Sequence, residues 1–79
     1  MNPVMSPIAL GKELRRYRKL QQLTQEQVGN KFKIPQKTIS NIENGKPGVE
    51  LNTLFKVVAA LGLYINVVPR DSASNEDIW

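Results

Sequence analysis

Apolar residues recur at three- and four-residue steps through most of this chain, and one short stretch breaks the rhythm. Leu10, Leu14 and Tyr17, with Leu20 close behind, make one inward stripe, which predicts a first helix running to about Gln21. Ser6-Pro7 marks its start, because Ser6 can cap and Pro7 suits a first helical position that needs no N–H. Thr24 to Gln27 fits a capping box, so a second helix begins there, with Val28 and Phe32 as its expected buried pair. It can run only to about Lys33, since Ile34 precedes Pro35 and is pushed out of the α region. From Pro35 or Gln36 a third helix carries Thr38, Ile39 and Ile42 inward and stops at Asn44-Gly45. A fourth starts near Leu51, shows Leu54, Val57, Val58 and Leu61 at helical spacing, and ends at Gly62.

The rhythm changes at "LYINVV". Leu63, Ile65 and Val67 alternate with Tyr64, Asn66 and Val68, a β-branched and aromatic run that predicts a strand stopped by Pro69. A lone strand exposes unpaired N–H and C=O groups, and "NPVM" is too short, with Pro3 in it, to pair with it. The simplest partner is the same strand from a second copy, antiparallel across a two-fold axis; packing of the segment on its own helices is the alternative. The expected architecture is all-α, four to five helices with one short strand pairing across a homodimer. Residues 1–6 form an arm, 7–62 the helical domain, 63–68 the dimerising strand and 69–79 a polar, acidic tail that closes on Trp79.

Length agrees with this plan. A chain of 79 residues buries only about 60% of the surface it exposes when unfolded, which leaves room for one core and favours help from a partner subunit. Cysteine and histidine are both absent, which excludes a disulfide framework and leaves a zinc or non-haem iron centre almost without ligands. It also removes the usual base for acid–base or nucleophilic catalysis, so no enzyme and no cofactor is expected. No apolar run approaches the roughly 20 residues needed to span a bilayer, and the N-terminus lacks the pattern of a signal peptide; a cytoplasmic protein with no membrane partner is expected.

Charge sharpens the picture. From Lys12 to Lys46 the basic residues are Lys12, Arg15, Arg16, Arg18, Lys19, Lys31, Lys33, Lys37 and Lys46, against Glu13, Glu26 and Glu43. The tail reverses the sign, with Arg70 against Asp71, Glu76 and Asp77. Two ends of opposite sign suggest two kinds of partner. Two short helices joined by a tight break, neither able to bury itself alone, are the helix-turn-helix unit.

The string Leu23-Thr24-Gln25-Glu26-Gln27-Val28, with Ile34, Thr38-Ile39-Ser40, Ile42-Glu43-Asn44-Gly45-Lys46 and the helix from Leu51 to Leu61, resembles the phage repressor/Cro group, the XRE family. The likeness covers about Leu10 to Leu63 and implies a lambda-repressor-like bundle that binds DNA. Gly29 stands where that family prefers Ala, Lys33 where it has the turn Gly, and Pro35 where Ser or Thr caps the third helix. A narrower resemblance, carried by "SPIALGKELRRYRK", the strand and the tail ending in Trp79, is to HipB-type antitoxins. It implies a dimeric operator-binding repressor whose partner is a HipA-like Ser/Thr kinase toxin. A stand-alone repressor without a toxin is the alternative.

In such a unit the third helix enters the major groove. Gln36, Lys37, Ser40 and Asn41 are the expected base contacts, because Gln matches adenine, Lys donates to guanine, and Ser and Asn are short enough for either a base or a phosphate. Phosphate contacts are expected from Gln25, at a helix N-terminus, and from Lys33, Thr38, Asn44 and Lys46. The resemblance makes Arg18 and Glu43 a structural ion pair between helices one and three. The tail, repelled by phosphate, is expected to meet the toxin through Ile78 and Trp79, Trp being enriched at interface hot spots.

Overall fold

The computed structural model of the chain describes residues 3–70. Four α-helices follow one another: α1 Pro7–Leu20, α2 Gln25–Asn30, α3 Gln36–Glu43 and α4 Leu51–Ala60. Their starts follow the capping chemistry. The Ser6 hydroxyl accepts from the Ala9 amide at 3.0 Å, and at α2 the Thr24 hydroxyl accepts from the Gln27 amide at 3.1 Å while Gln27 Oε1 accepts from the Thr24 amide at 2.8 Å. Pro35 precedes α3 with no side-chain cap. The end of α3 is a left-handed residue, Gly45 at φ 69°.

Helices of six and eight residues are too short to persist alone, so α2 and α3 rest on tertiary contacts. Their apolar sides meet α1 and α4 in one core of Leu14, Val28, Ile34, Ile39, Ile42, Val57, Val58, Ala60 and Leu61. Each fully buried aliphatic side chain among them contributes roughly 1.5–3 kcal/mol of transfer free energy. At the seam between α1 and α3 the two backbones come unusually close. A Cβ on Gly11 would run into the carbonyl oxygens of Ile42 and Glu43, so only the missing side chain permits this approach.

The helices number four among the described residues, within the four to five expected. Two expectations are corrected. The second helix, α2, stops at Asn30 rather than Lys33, which leaves Phe32 in the turn at 43% exposure instead of in a buried pair with Val28. Leu20, at the last position of α1, is 65% exposed and lies outside the inward stripe. Residues 63–68 form no strand within the single chain; Leu63 packs on the core, while Tyr64 and Val67 are 87% and 89% exposed. The physical reason is pairing: a strand needs a neighbour, and the chain itself supplies none. Ile78 and Trp79 lie outside the described residues.

The far end of α4 is held by side chains from elsewhere. Lys31 Nζ donates to the Ala60 carbonyl at 2.8 Å, and Gln21 Nε2 donates to the Leu61 carbonyl at 2.8 Å. Both satisfy carbonyls that a helix C-terminus leaves open, and the Lys31 charge also complements the negative end of the dipole.

Candidate nucleic-acid interface

The outward side of α3 is built from the inside. Arg18, on α1, donates from Nε to Glu43 Oε2 at 2.6 Å and from Nη2 to Glu43 Oε1 at 3.1 Å, and its Nη1 reaches the Leu23 carbonyl at 2.8 Å. Side-chain exposures of 12% for Arg18 and 5% for Glu43 place this bidentate pair out of water. Glu43 has a third donor, Gln25 Nε2, at 3.0 Å, and Gln25 Oε1 in turn accepts from Gln36 Nε2 at 2.8 Å. One continuous chain of hydrogen bonds thus runs from a buried charge pair to the first residue of α3.

Gln25, expected to meet a phosphate, is the first residue of α2 and has its side chain engaged with Glu43 and Gln36. Gln36 keeps an amide oxygen and one N–H, and a bidentate match to adenine needs one acceptor and one donor. Lys37 beside it is exposed. Ser40 and Asn41 are half-buried, and Asn44 Nδ2 approaches Ser40 Oγ at 3.4 Å, a long bond. Lys46 is exposed just past Gly45.

Not every expected site residue joins this face. At about 100° per residue, Thr38 sits roughly 160° around α3 from Gln36, where it faces a shallow polar cleft shared with Lys33, Asn41, Thr53 and Lys56. Lys33 belongs to that other flank. It is exposed and held at φ 57°, a left-handed conformation that costs a non-glycine residue about 1–2 kcal/mol. Neighbouring Gly29 matches this turn: a Cβ there would strike the Ile34 carbonyl oxygen, so the Ala that the wider family prefers does not fit this geometry. Lys33→Gly is expected to raise stability by roughly 0.5–1 kcal/mol, the relieved strain exceeding the entropy cost of the added glycine. Thermal unfolding would show a midpoint a few degrees higher, and an unchanged midpoint would mean the turn relaxes around Lys33 at no cost.

Sequence reasoning missed three contributors. Gly11 carried a readable signal, an isolated glycine inside a helical pattern, which often marks close packing. Gln21 and Lys31 carried none, because their partners are backbone carbonyls distant in the chain. Among the described residues no group of histidine, cysteine or carboxylate side chains could hold a metal, and no helix is long and apolar enough to cross a membrane.

The family model described as Helix-turn-helix (HTH_3) matches residues 14–68. "Antitoxin HipB" of Escherichia coli O6:H1 (strain CFT073) is 33% identical over 73 residues, spanning 92% of this chain and 78% of the relative. The fold also superposes on a solved structure described as "HipB-O4 20mer complex" with a TM-score of 0.84 at 30% identity, covering 90% of this chain and 100% of that one. One described as "Structure of HipA-HipB-O2-O3 complex" matches with the same TM-score, identity and coverage. The capped helices, the buried Arg18–Glu43 pair and the exposed first turn of α3 occur in a chain that belongs to the helix-turn-helix family and, within it, to the HipB antitoxins.

Proposed function

We propose that this protein is the DNA-binding antitoxin of a HipA/HipB-like module, a sequence-specific repressor that binds its own operator and restrains a HipA-like Ser/Thr kinase toxin. The observation that carries the reading is the superposition, over 90% of the chain, on HipB structures whose descriptions name a 20mer complex and a complex with HipA, together with an α3 whose first turn is solvent-facing and held in place by the Gln25 bridge. Gln36, Lys37, Ser40 and Asn41 read bases, and Asn44 and Lys46 hold phosphates. Thr38 and Lys33, on the other flank, reach the backbone from the far rim of the groove.

The working unit is a homodimer on a palindromic operator, its subunits joined through residues 63–68. The exposed Tyr64, Ile65, Val67 and Val68 supply an apolar surface that a partner strand would cover. Action is by binding and not by turnover, and the site of action is the cytoplasm. Division of labour follows the charge: residues 7–62 serve DNA, and the acidic tail with Ile78 and Trp79 serves the toxin.

Lys37→Ala tests the readout. It is expected to weaken operator binding by about 1–3 kcal/mol, roughly 5- to 150-fold, and to relax preference at one base position. An equal loss on random DNA would make Lys37 a phosphate contact. Ending the chain at Ser74 is expected to lower affinity for the kinase toxin while leaving operator affinity within about twofold, since a surface anchor such as Trp contributes ~2 kcal/mol or more to one interface only. A tenfold loss on DNA would overturn the tail's assignment.

A further inference from the structure

The interface described so far uses α2, α3 and the loop after α3, yet α1 carries Lys12, Arg15, Arg16 and Lys19 on exposed positions. Their placement relative to the seam between α1 and α3 decides their use. Gly11 and Arg18 are the α1 residues that meet α3, and at about 100° per residue they lie within roughly 20° of one another. On one side of that line come Leu14, Leu10 and Tyr17, toward the core. On the other, at about 60°, 100° and 120° from Arg18, come Arg15, Lys19 and Lys12.

Helix α3 is divided in the same way. Taking Glu43 as the residue that meets Arg18, Ile39 and Ile42 lie on the core side, while Gln36, Ser40, Asn44 and Lys37 lie at about 20° to 120° on the other. Core is thus on one side of the seam for both helices, and the three exposed α1 cations share the opposite side with the outward residues of α3. Ile8, which falls in the same sector of α1 at about 80°, touches Gly45 just before Lys46 and ties the two helices together there.

These three cations are also the unneutralised ones. Arg16 lies further round, donates to Glu13 at 2.9 Å and 3.1 Å, and stacks its guanidinium 4.4 Å from the Tyr17 ring centre; the Glu13 carboxyl is held below its usual range by that Arg16 hydrogen bond. Lys12, Arg15 and Lys19 have no acidic partner among the described residues.

We propose that Lys12, Arg15 and Lys19 form a phosphate-tracking ridge that extends the footprint on DNA beyond the half-site read by α3. The inference rests on the DNA-binding reading above and adds a second, sequence-independent surface continuous with it. Three cations spaced along two turns of α1 follow a backbone that carries one charge per ~1.7 Å of duplex axis.

The test compares two operator duplexes, one ending at the outer base pairs of the half-sites and one extended by about one helical turn, ~10 bp, at each end. Wild type and a Lys12→Gln/Arg15→Gln/Lys19→Gln variant are titrated on both over a salt series, with circular dichroism to verify that the variant is folded. Wild type is expected to bind the longer duplex at least tenfold tighter. The variant is expected to lose that preference, keep its affinity for the short duplex within a few-fold, and show a salt slope shallower by up to ~2.7 per protomer on the long one. An unchanged slope and preference would overturn the ridge, and so would a variant that binds both duplexes normally but loses the kinase partner. Wild type that binds neither duplex would sink the DNA-binding reading itself, an outcome distinct from failure of the ridge.

Discussion

Glu43→Ala is expected to destabilise the fold by roughly 3–5 kcal/mol, because it strands the Arg18 guanidinium in a site from which water is largely excluded. For a domain of this size that corresponds to a fall in melting temperature of about 15 °C or more. Chemical denaturation should show the same loss as a lower midpoint. A loss below about 1 kcal/mol would mean that Arg18 swings out to solvent and that the pair is not structural. The double change Arg18→Met/Glu43→Leu discriminates further. Replacing both partners of a buried pair by apolar groups is often neutral, so most of the stability should return. Operator affinity should not return with it, because Gln25 would have lost the carboxylate that orients it toward Gln36. A refolded double variant with full operator affinity would show that the hydrogen-bond chain plays no part in readout.

The second large effect is expected at Gly11. Alanine there improves helix propensity by about 0.8–1.0 kcal/mol, and on an exposed helix that would stabilise. Here the added methyl meets the carbonyl oxygens of Ile42 and Glu43, which are backbone and cannot rotate away. Overpacking of this sort costs about 1–3 kcal/mol, and relief requires α1 to lift from α3, which lengthens the Arg18–Glu43 bonds as well. Net destabilisation of about 1–2 kcal/mol is expected, read as a lower denaturant midpoint at unchanged slope. Lys12→Ala, one position along on the exposed side, is the matched control and should be within about 0.5 kcal/mol of wild type. Stabilisation by Gly11→Ala would show that the seam has slack.

These two residues also mark how far the chain could be read in advance. Helix starts were legible because capping is local: Ser6-Pro7 and Thr24-Gln27 carry their hydrogen-bond partners within three residues. Gly45 was legible for the same reason, a turn that needs positive φ. Leu20 and Phe32 were misplaced because periodicity says that a stripe exists without saying where it ends, and the early stop of α2 rotates Phe32 out of the helix. The link from Gln25 to Gln36 was out of reach, since it depends on two helix starts eleven residues apart being brought together by the packing of α2 on α3. Whether 63–68 becomes a strand is not encoded in one copy at all.

The clamp on the end of α4 has a mechanical consequence. Gln21 and Lys31 come from either side of α2 and both grip the carbonyls at residues 60 and 61, and just past them the Leu63 amide donates to the Val58 carbonyl at 3.0 Å while its side chain packs on the core. The chain is thus tied to the helical body through residue 63, with Gly62 at φ 72° inside the tie, and Tyr64 is the first residue past it. In the homodimer proposed above, the distance between the two α3 helices would then be fixed by a short, stiff root and not by a loose linker. Loosening the grip of Lys31 is expected to widen the range of operator spacings that such a dimer accepts, and Gly62→Ala, strained at a positive φ, is expected to destabilise the root rather than stiffen it.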